Sequence, residues 1–410
     1  MRNISRTAVA LLCAALLAPI GTATAAGETC QGQAATIVGT PGGQITGTEG
    51  ADVIVTNGAT RVDALGGDDL VCATSEDGSV TYAPGVIVIL GAGADTFSGG
   101  QDVIYAGTED RTDTEADVIR VNGYANVISG MPGQPNADII DLAFGEVTWS
   151  GIQAAPGAVS VGTNGTLGVR SANGDVTMDA TGTVTGADTM LTWTGQFYGF
   201  AFTTSAAYGR FTFRGTDGTE HVKVGAPRTF DRDIALGGGD DSYESNSLGG
   251  KATRIKGDGG RNELLLELDR HDRVRADLSR SRVTATKAGV TDSIRVPGFG
   301  DLIVTAKRAD VIGTNVANRI GIMACRTTVK IKKGRDNVSV NSTYRGTESW
   351  TTPRCAKYKA TIYGYCGNDT ITGSRGNDRL IGGPGKDIVR GLAGRDVCLG
   401  ETMWECEKRI

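Results

Sequence analysis

From Gly364 onward the chain repeats in blocks of nine. An apolar residue recurs at Ile371, Leu380 and Val389, with Cys398 filling the same position in the fourth block. Glycine recurs at Gly364, Gly373, Gly382, Gly391 and Gly400, and again at Gly367, Gly376, Gly385 and Gly394. An acid recurs at Asp369, Asp378, Asp387 and Asp396. One inward side chain between two outward neighbours makes a three-residue strand. The other six positions make a turn, and its glycines permit the φ > 0 that other residues resist. Successive strands then alternate between two parallel sheets. One coil takes two blocks, and Asp369 stacks with Asp387 while Asp378 stacks with Asp396.

Worn copies of the pattern precede these. Gly47 to Ile54 holds Asp52. Asp69 and Val71 follow Gly66-Gly67, and Gly91 to Phe97 holds Asp95. The acid–x–apolar core alone survives at Asp102 with Ile104, Asp117 with Ile119 and Asp138 with Ile140. Gly237 to Tyr243 carries Asp240 and Asp241, and Gly257 to Leu264 substitutes Asn262 for the acid. Ile320, Val329 and Val338 keep the phase, where Asp336 retains the carboxylate and Asn318 offers a neutral oxygen.

Between about 145 and 230 the period changes to two, as in Val176-Thr-Met178-Asp-Ala180, Phe200-Ala-Phe202 and Phe211-Thr-Phe213. That alternation predicts half-buried strands, with turns at Asn164-Gly165 and Asn173-Gly174. Either the solenoid continues here with longer coils, or a β insert sits on it. Helix signals are scarce, and Asn262 to Val274 reads as strands because another coil is due there. The expected fold is all-β, a right-handed parallel β-roll or β-helix solenoid with disulfide-tied ends. The segments expected are 1–25, 26–144, 145–230, 231–345 and 346–410.

Composition supports this. Glycine numbers 61 of 410 residues, and only 39% are hydrophobic. The two histidines, His221 and His271, rule out a three-histidine zinc site, and no nucleophile elbow or phosphate-binding loop is present. Residues 26–300 carry 20 basic and 35 acidic groups, net −15, and residues from Asp301 onward are net +8. So acidic and apolar-poor a chain resists collapse unless a cation neutralises it. Calcium suits stacked carboxylates because it accepts six to eight oxygens, several of them backbone carbonyls.

Arg2 and Arg6, the apolar run Ala8 to Ile20 and Ala23-Thr24-Ala25 read as a secretory signal over 1–25. A membrane anchor is the rival reading, but the run is shorter than a span. Cys13 leaves with the signal, and export allows the remaining cysteines to pair. Proximity favours Cys30 with Cys72 and Cys398 with Cys406. Cys325 with Cys355 leaves Cys366 as the free thiol, and Cys355 with Cys366 is the rival pairing.

The nonapeptide Gly-Gly-x-Gly-x-Asp-x-apolar-x resembles the RTX (repeats-in-toxin, hemolysin-type) calcium-binding repeat. The likeness is clean over about 364–400, worn over 36–104 and faint between. Within the four clean blocks, paired glycines survive only at Gly382-Gly383. The whole-chain plan also resembles secreted actinobacterial calcium-binding proteins. The resemblance implies calcium as the cofactor, held by Asp369, Asp378, Asp387 and Asp396, by Asp52, Asp69 and Asp95, and by Asp240 and Asp241. A metal-free solenoid whose aspartates make only Asx turns is the competing reading.

The expected function is that of an exported calcium-binding repeat protein without a catalytic centre. One alternative is an extracellular adhesin or glycan-binding protein using the aromatic segment around Trp193, Phe197 and Tyr198. Another is a calcium-dependent β-helix carbohydrate lyase or epimerase, although no catalytic motif is found. Expected partners are calcium ions and an extracellular glycan or cell surface. No nucleic-acid partner and no membrane span are expected.

Overall fold

A computed structural model describes residues 27–73, 85–100, 102–108, 113–341, 350 and 353–409. The expected signal, 1–25, lies outside the described residues. The chain winds as a parallel β-roll. Near the N-terminus, Ile37–Val38, Val53–Val55, Leu70–Cys72 and Thr96–Gly99 stack in one parallel column. Gln44–Thr48, Arg61–Leu65, Ile87–Ile89 and Asp102–Ala106 stack in the other. Each strand therefore pairs with the next but one, as the two-block coil requires.

At Val118–Ser129 the columns fuse into one bent strand. Its first half lies on Thr96–Gly99 and its second on Asp102–Ala106, with a register shift between Val121 and Tyr124. Long bent strands continue through Ile139–Trp149, Ala158–Ser171 and Thr189–Thr204. The parallel columns thus run through 145–230. What departs from the coil is the antiparallel hairpin Val176–Asp179 with Thr183–Gly186. A second excursion is the antiparallel meander Arg273–Asp277, Arg282–Lys287 and Val290–Arg295. The helical structure among the described residues is one 3-10 turn, Leu278–Arg280. No helix among them is long and apolar enough to cross a membrane.

One apolar core runs the length of the solenoid, from Ile45 to Cys398. In the C-terminal coils the burial is as the nine-residue pattern predicts, with Ile371, Leu380, Val389 and Cys398 fully buried between more exposed neighbours. The central core is aromatic: Phe202 stacks on Phe211 with ring centroids 4.3 Å apart. Trp193 belongs to this core, whereas Tyr198 stays exposed and meets His221 edge-on. Disulfides join Cys30 to Cys72, Cys325 to Cys355 and Cys398 to Cys406, leaving Cys366 free and exposed. Past the last full block, Thr402–Trp404 and Lys408–Arg409 add one short strand to each column and end the sheet.

Candidate metal centre

Each block places its acid at the end of the turn, one residue before the strand, so parallel stacking sets acid above acid. The result is a ladder of buried carboxylates. The Asp369 N–H donates to Oδ1 of Asp387, and the Asp378 N–H to Oδ1 of Asp396, each at 2.8 Å across 18 residues. The first column extends upstream, from the Asn318 N–H to Asp336 and from the Asp336 N–H to Asp369. It ends where the Asp387 N–H meets Oε2 of Glu401, and the second column ends where the Asp396 N–H meets Oε2 of Glu407.

An N-terminal ladder has the same build. The N–H groups of Asp52, Asp69, Asp95 and Asp117 donate in turn to Asp69, Asp95, Asp117 and Asp138. A short central ladder joins Glu220, Asp241 and Asn262. Asp240 is not a rung. It is exposed and accepts the Arg261 N–H, as Asp68 accepts the Ala94 N–H on an outer row.

Eight of the aspartate rungs use only one oxygen. The second carboxylate oxygen of Asp69, Asp95, Asp117, Asp241, Asp336, Asp369, Asp387 and Asp396 is buried without a hydrogen-bond partner. Burial, with the neighbouring carboxylates adding to it, raises the acids above their ordinary 3.8: Asp95 to about 7, Asp69, Asp369 and Asp396 to about 6. A buried carboxylate left this way demands a proton or a cation.

Asn262 shows what faces that second oxygen. Its Oδ1 takes the ladder bond, and its Nδ2 donates to three backbone carbonyls, those of Gly257 (2.7 Å), Gly259 (2.7 Å) and Gly298 (3.1 Å). The side-chain position is ringed by oxygens and suits a donor. Where Asp replaces Asn, oxygen faces oxygen, and a hard cation bridging carboxylate and carbonyls resolves the conflict. The C-terminal blocks leave room for it. A Cβ on Gly364 would come within 2.6 Å of Asp369 Oδ2 and would also meet the Gly382 carbonyl. At Gly391 it would lie 2.5 Å from Asp396 Oδ2 and meet the Glu405 carbonyl. Gly367 and Gly385 have φ of +146° and +156° and stack so closely that a side chain on Gly385 would overlap the Gly367 carbonyl.

Residues 363–398 match the family model of the RTX calcium-binding nonapeptide repeat, in four copies. These coils are RTX calcium-binding repeats. No curated protein matches the chain. The residues present fit calcium: in the RTX coils Asp369, Asp387 and Asp396 supply the unbonded oxygens, and carbonyls such as those of Gly382 and Glu405 lie beside them.

Of the acids expected from the sequence, Asp52, Asp69, Asp95 and Asp241 are buried rungs, as are the four RTX aspartates. Asp52 and Asp378 differ in having both oxygens hydrogen-bonded. Glu220, Glu401 and Glu407 are rungs that the period does not reveal. Glu220 could have been found from Gly215-x-x-Gly218-x-Glu220-x-Val222, which keeps the spacing with Glu for Asp. Glu401 and Glu407 sit 14 and 11 residues past their partners and carry no such signal.

Proposed function

We propose that this is an exported calcium-binding repeat protein whose ladder coils require calcium to fold. The observation that carries the reading is the file of buried carboxylate oxygens without partners, set where Asn262 finds three carbonyls. Like charges one coil apart, about 5 Å, repel unless an ion lies between them. Export is supported by the signal-like residues 1–25 and by three disulfides, which persist outside the reducing cytosol. Millimolar extracellular calcium would fill sites with Kd on the order of 0.1–1 mM. Circular dichroism of the chain lacking residues 1–25, with calcium and with chelator, tests this. Loss of β signal in chelator and its return with calcium are expected; equal spectra would refute the folding role.

A second reading, glycan binding, is favoured by one feature. The outer face of the central sheet holds a hollow of about 800 Å³. Its floor is small where Gly168, Gly199 and Ala201 lie, and Glu146, Lys223 and Glu263 rise beside them. Beyond one end Trp350 packs on Leu265, Ile303 and Met323 and donates to Glu244, within the loop closed by Cys325–Cys355. A glycan panel probed with the native chain and with Ala201→Trp tests it. Binding lost in the variant supports the reading, and no binding by the native chain removes it.

A further inference from the structure

At eleven rungs the residue four positions earlier sorts the turns into two kinds; Asp117, four residues after Asp113, fits neither although its Oδ2 is bare. In the first kind the earlier residue carries a hydroxyl: Thr48 before Asp52, Thr216 before Glu220, Thr314 before Asn318 and Ser374 before Asp378. None of the four has a positive φ. In each, its own backbone N–H donates to the rung's side-chain oxygen, at 2.7, 3.2, 2.7 and 2.5 Å respectively. The hydroxyl bonds the same side chain, as Ser374 Oγ does to Asp378 Oδ1 at 2.8 Å.

In the second kind the residue is left-handed. Leu65, Gly91, Gly237, Lys332, Tyr365, Gly383 and Leu392 have φ between +65° and +110°. They precede Asp69, Asp95, Asp241, Asp336, Asp369, Asp387 and Asp396, whose second oxygens are all buried and unbonded. Four of these seven are not glycine, in a conformation that side-chain-bearing residues rarely adopt.

We propose that calcium enters the left-handed turns, and that Thr48, Thr314 and Ser374 close theirs to it, whereas Thr216 caps one oxygen of Glu220 and leaves its Oε2 buried and bare. An N–H aimed at the carboxylate oxygen puts positive charge where the ion's would lie and withdraws that oxygen from coordination. A calcium site needs six to eight oxygens and cannot spare one. The inference rests on the calcium reading above and refines it. It adds Asp336 as a ligand outside the matched repeats, and it removes Asp52 and Asp378 from the ligand set that the repeat pattern implies. The RTX coils are then unequal: the column of Asp336, Asp369 and Asp387 is loaded throughout, while the opposite column is loaded at Asp396 and tied by protein at Asp378.

The test uses the full chain lacking residues 1–25. Calcium stoichiometry is measured by equilibrium dialysis, and ions are located by anomalous diffraction from calcium-grown crystals. Ser374→Gly should gain one ion, at Asp378, and Leu392→Ser should lose one, at Asp396. Ser374→Thr, which keeps the cap, should match the native count. Native protein that binds calcium but shows an ion at Asp378 overturns the inference and leaves the calcium reading standing. So do two variants with unchanged counts. Native protein that binds no calcium overturns both.

Discussion

The backbone N–H of Asp369 donates to the carboxylate of Asp387, 18 residues further along and one coil away. That bond uses Oδ1 and leaves Oδ2 buried and bare. One oxygen thus registers the coil, and the other remains to bind. Replacing Asp387 separates these roles. Asp387→Ala orphans the Asp369 N–H and should cost about 1–3 kcal/mol, besides removing one calcium. Asp387→Asn keeps an acceptor and supplies a donor, as Asn262 does. It should lose the ion yet be at least as stable as the native chain in chelator. Chemical denaturation in chelator, with calcium titration alongside, checks both.

Acid should substitute for calcium. The carboxyls of Asp95, at about 7, and of Asp69 and Asp369, at about 6, lie above the ordinary 3.8, so the folded chain holds protons the unfolded chain gives up. Their contribution is fully favourable below about pH 4 and is lost as pH rises through 6 to 7. In chelator the melting temperature should therefore fall between pH 5 and pH 8, and calcium should abolish most of the fall. A chelated chain that becomes more stable over that interval would contradict the ladder's electrostatics.

How much of this was legible varied with what carried the information. The two-block coil was readable because Gly and Asp hold strict phase from Gly364 to Asp396, and phase is what parallel stacking preserves. The buried aspartates of the worn N-terminal turns, spaced 17, 26, 22 and 21 residues apart, keep no phase and were readable only from the local Asp-x-apolar core. Ser374 and Thr48 look like decayed glycines in such a pattern. Their role as caps exists only in the direction of an N–H, which spacing does not encode. Glu401 and Glu407 were hidden because the closing strands shorten the coil. Trp350 reaches the outer sheet face through a disulfide-closed loop, a long-range contact that no local periodicity reports.

The free thiol is a further check on the coil's geometry. Cys366 is exposed at the end of the strand Lys359–Cys366, while the other described cysteines are bonded. Alkylation of the chain lacking residues 1–25, followed by peptide mapping, should label Cys366 alone. Label on Cys325 or Cys355 would mean the central bridge is wrong.

The Cys398–Cys406 bridge closes a short loop over the last coil, with Cys398 itself in the core. Loop-closure entropy for its separation of 8 amounts to about 2.5 kcal/mol. The double Cys398→Ser/Cys406→Ser variant should lose about that much stability and open from the C-terminus. Hydrogen exchange should rise in Val397–Leu399 and Ile388–Arg390 before it rises in Lys359–Cys366.

The bare ladder oxygens should be where calcium binds. Isothermal titration of the chelator-stripped chain lacking residues 1–25 tests it most directly, with Asp369→Asn/Asp387→Asn as the comparison. The native chain should bind several calcium ions, with Kd on the order of 0.1–1 mM, and the variant fewer. The same uptake in both chains, or no uptake by the native chain at 10 mM calcium (at least about tenfold above that Kd range), would contradict it.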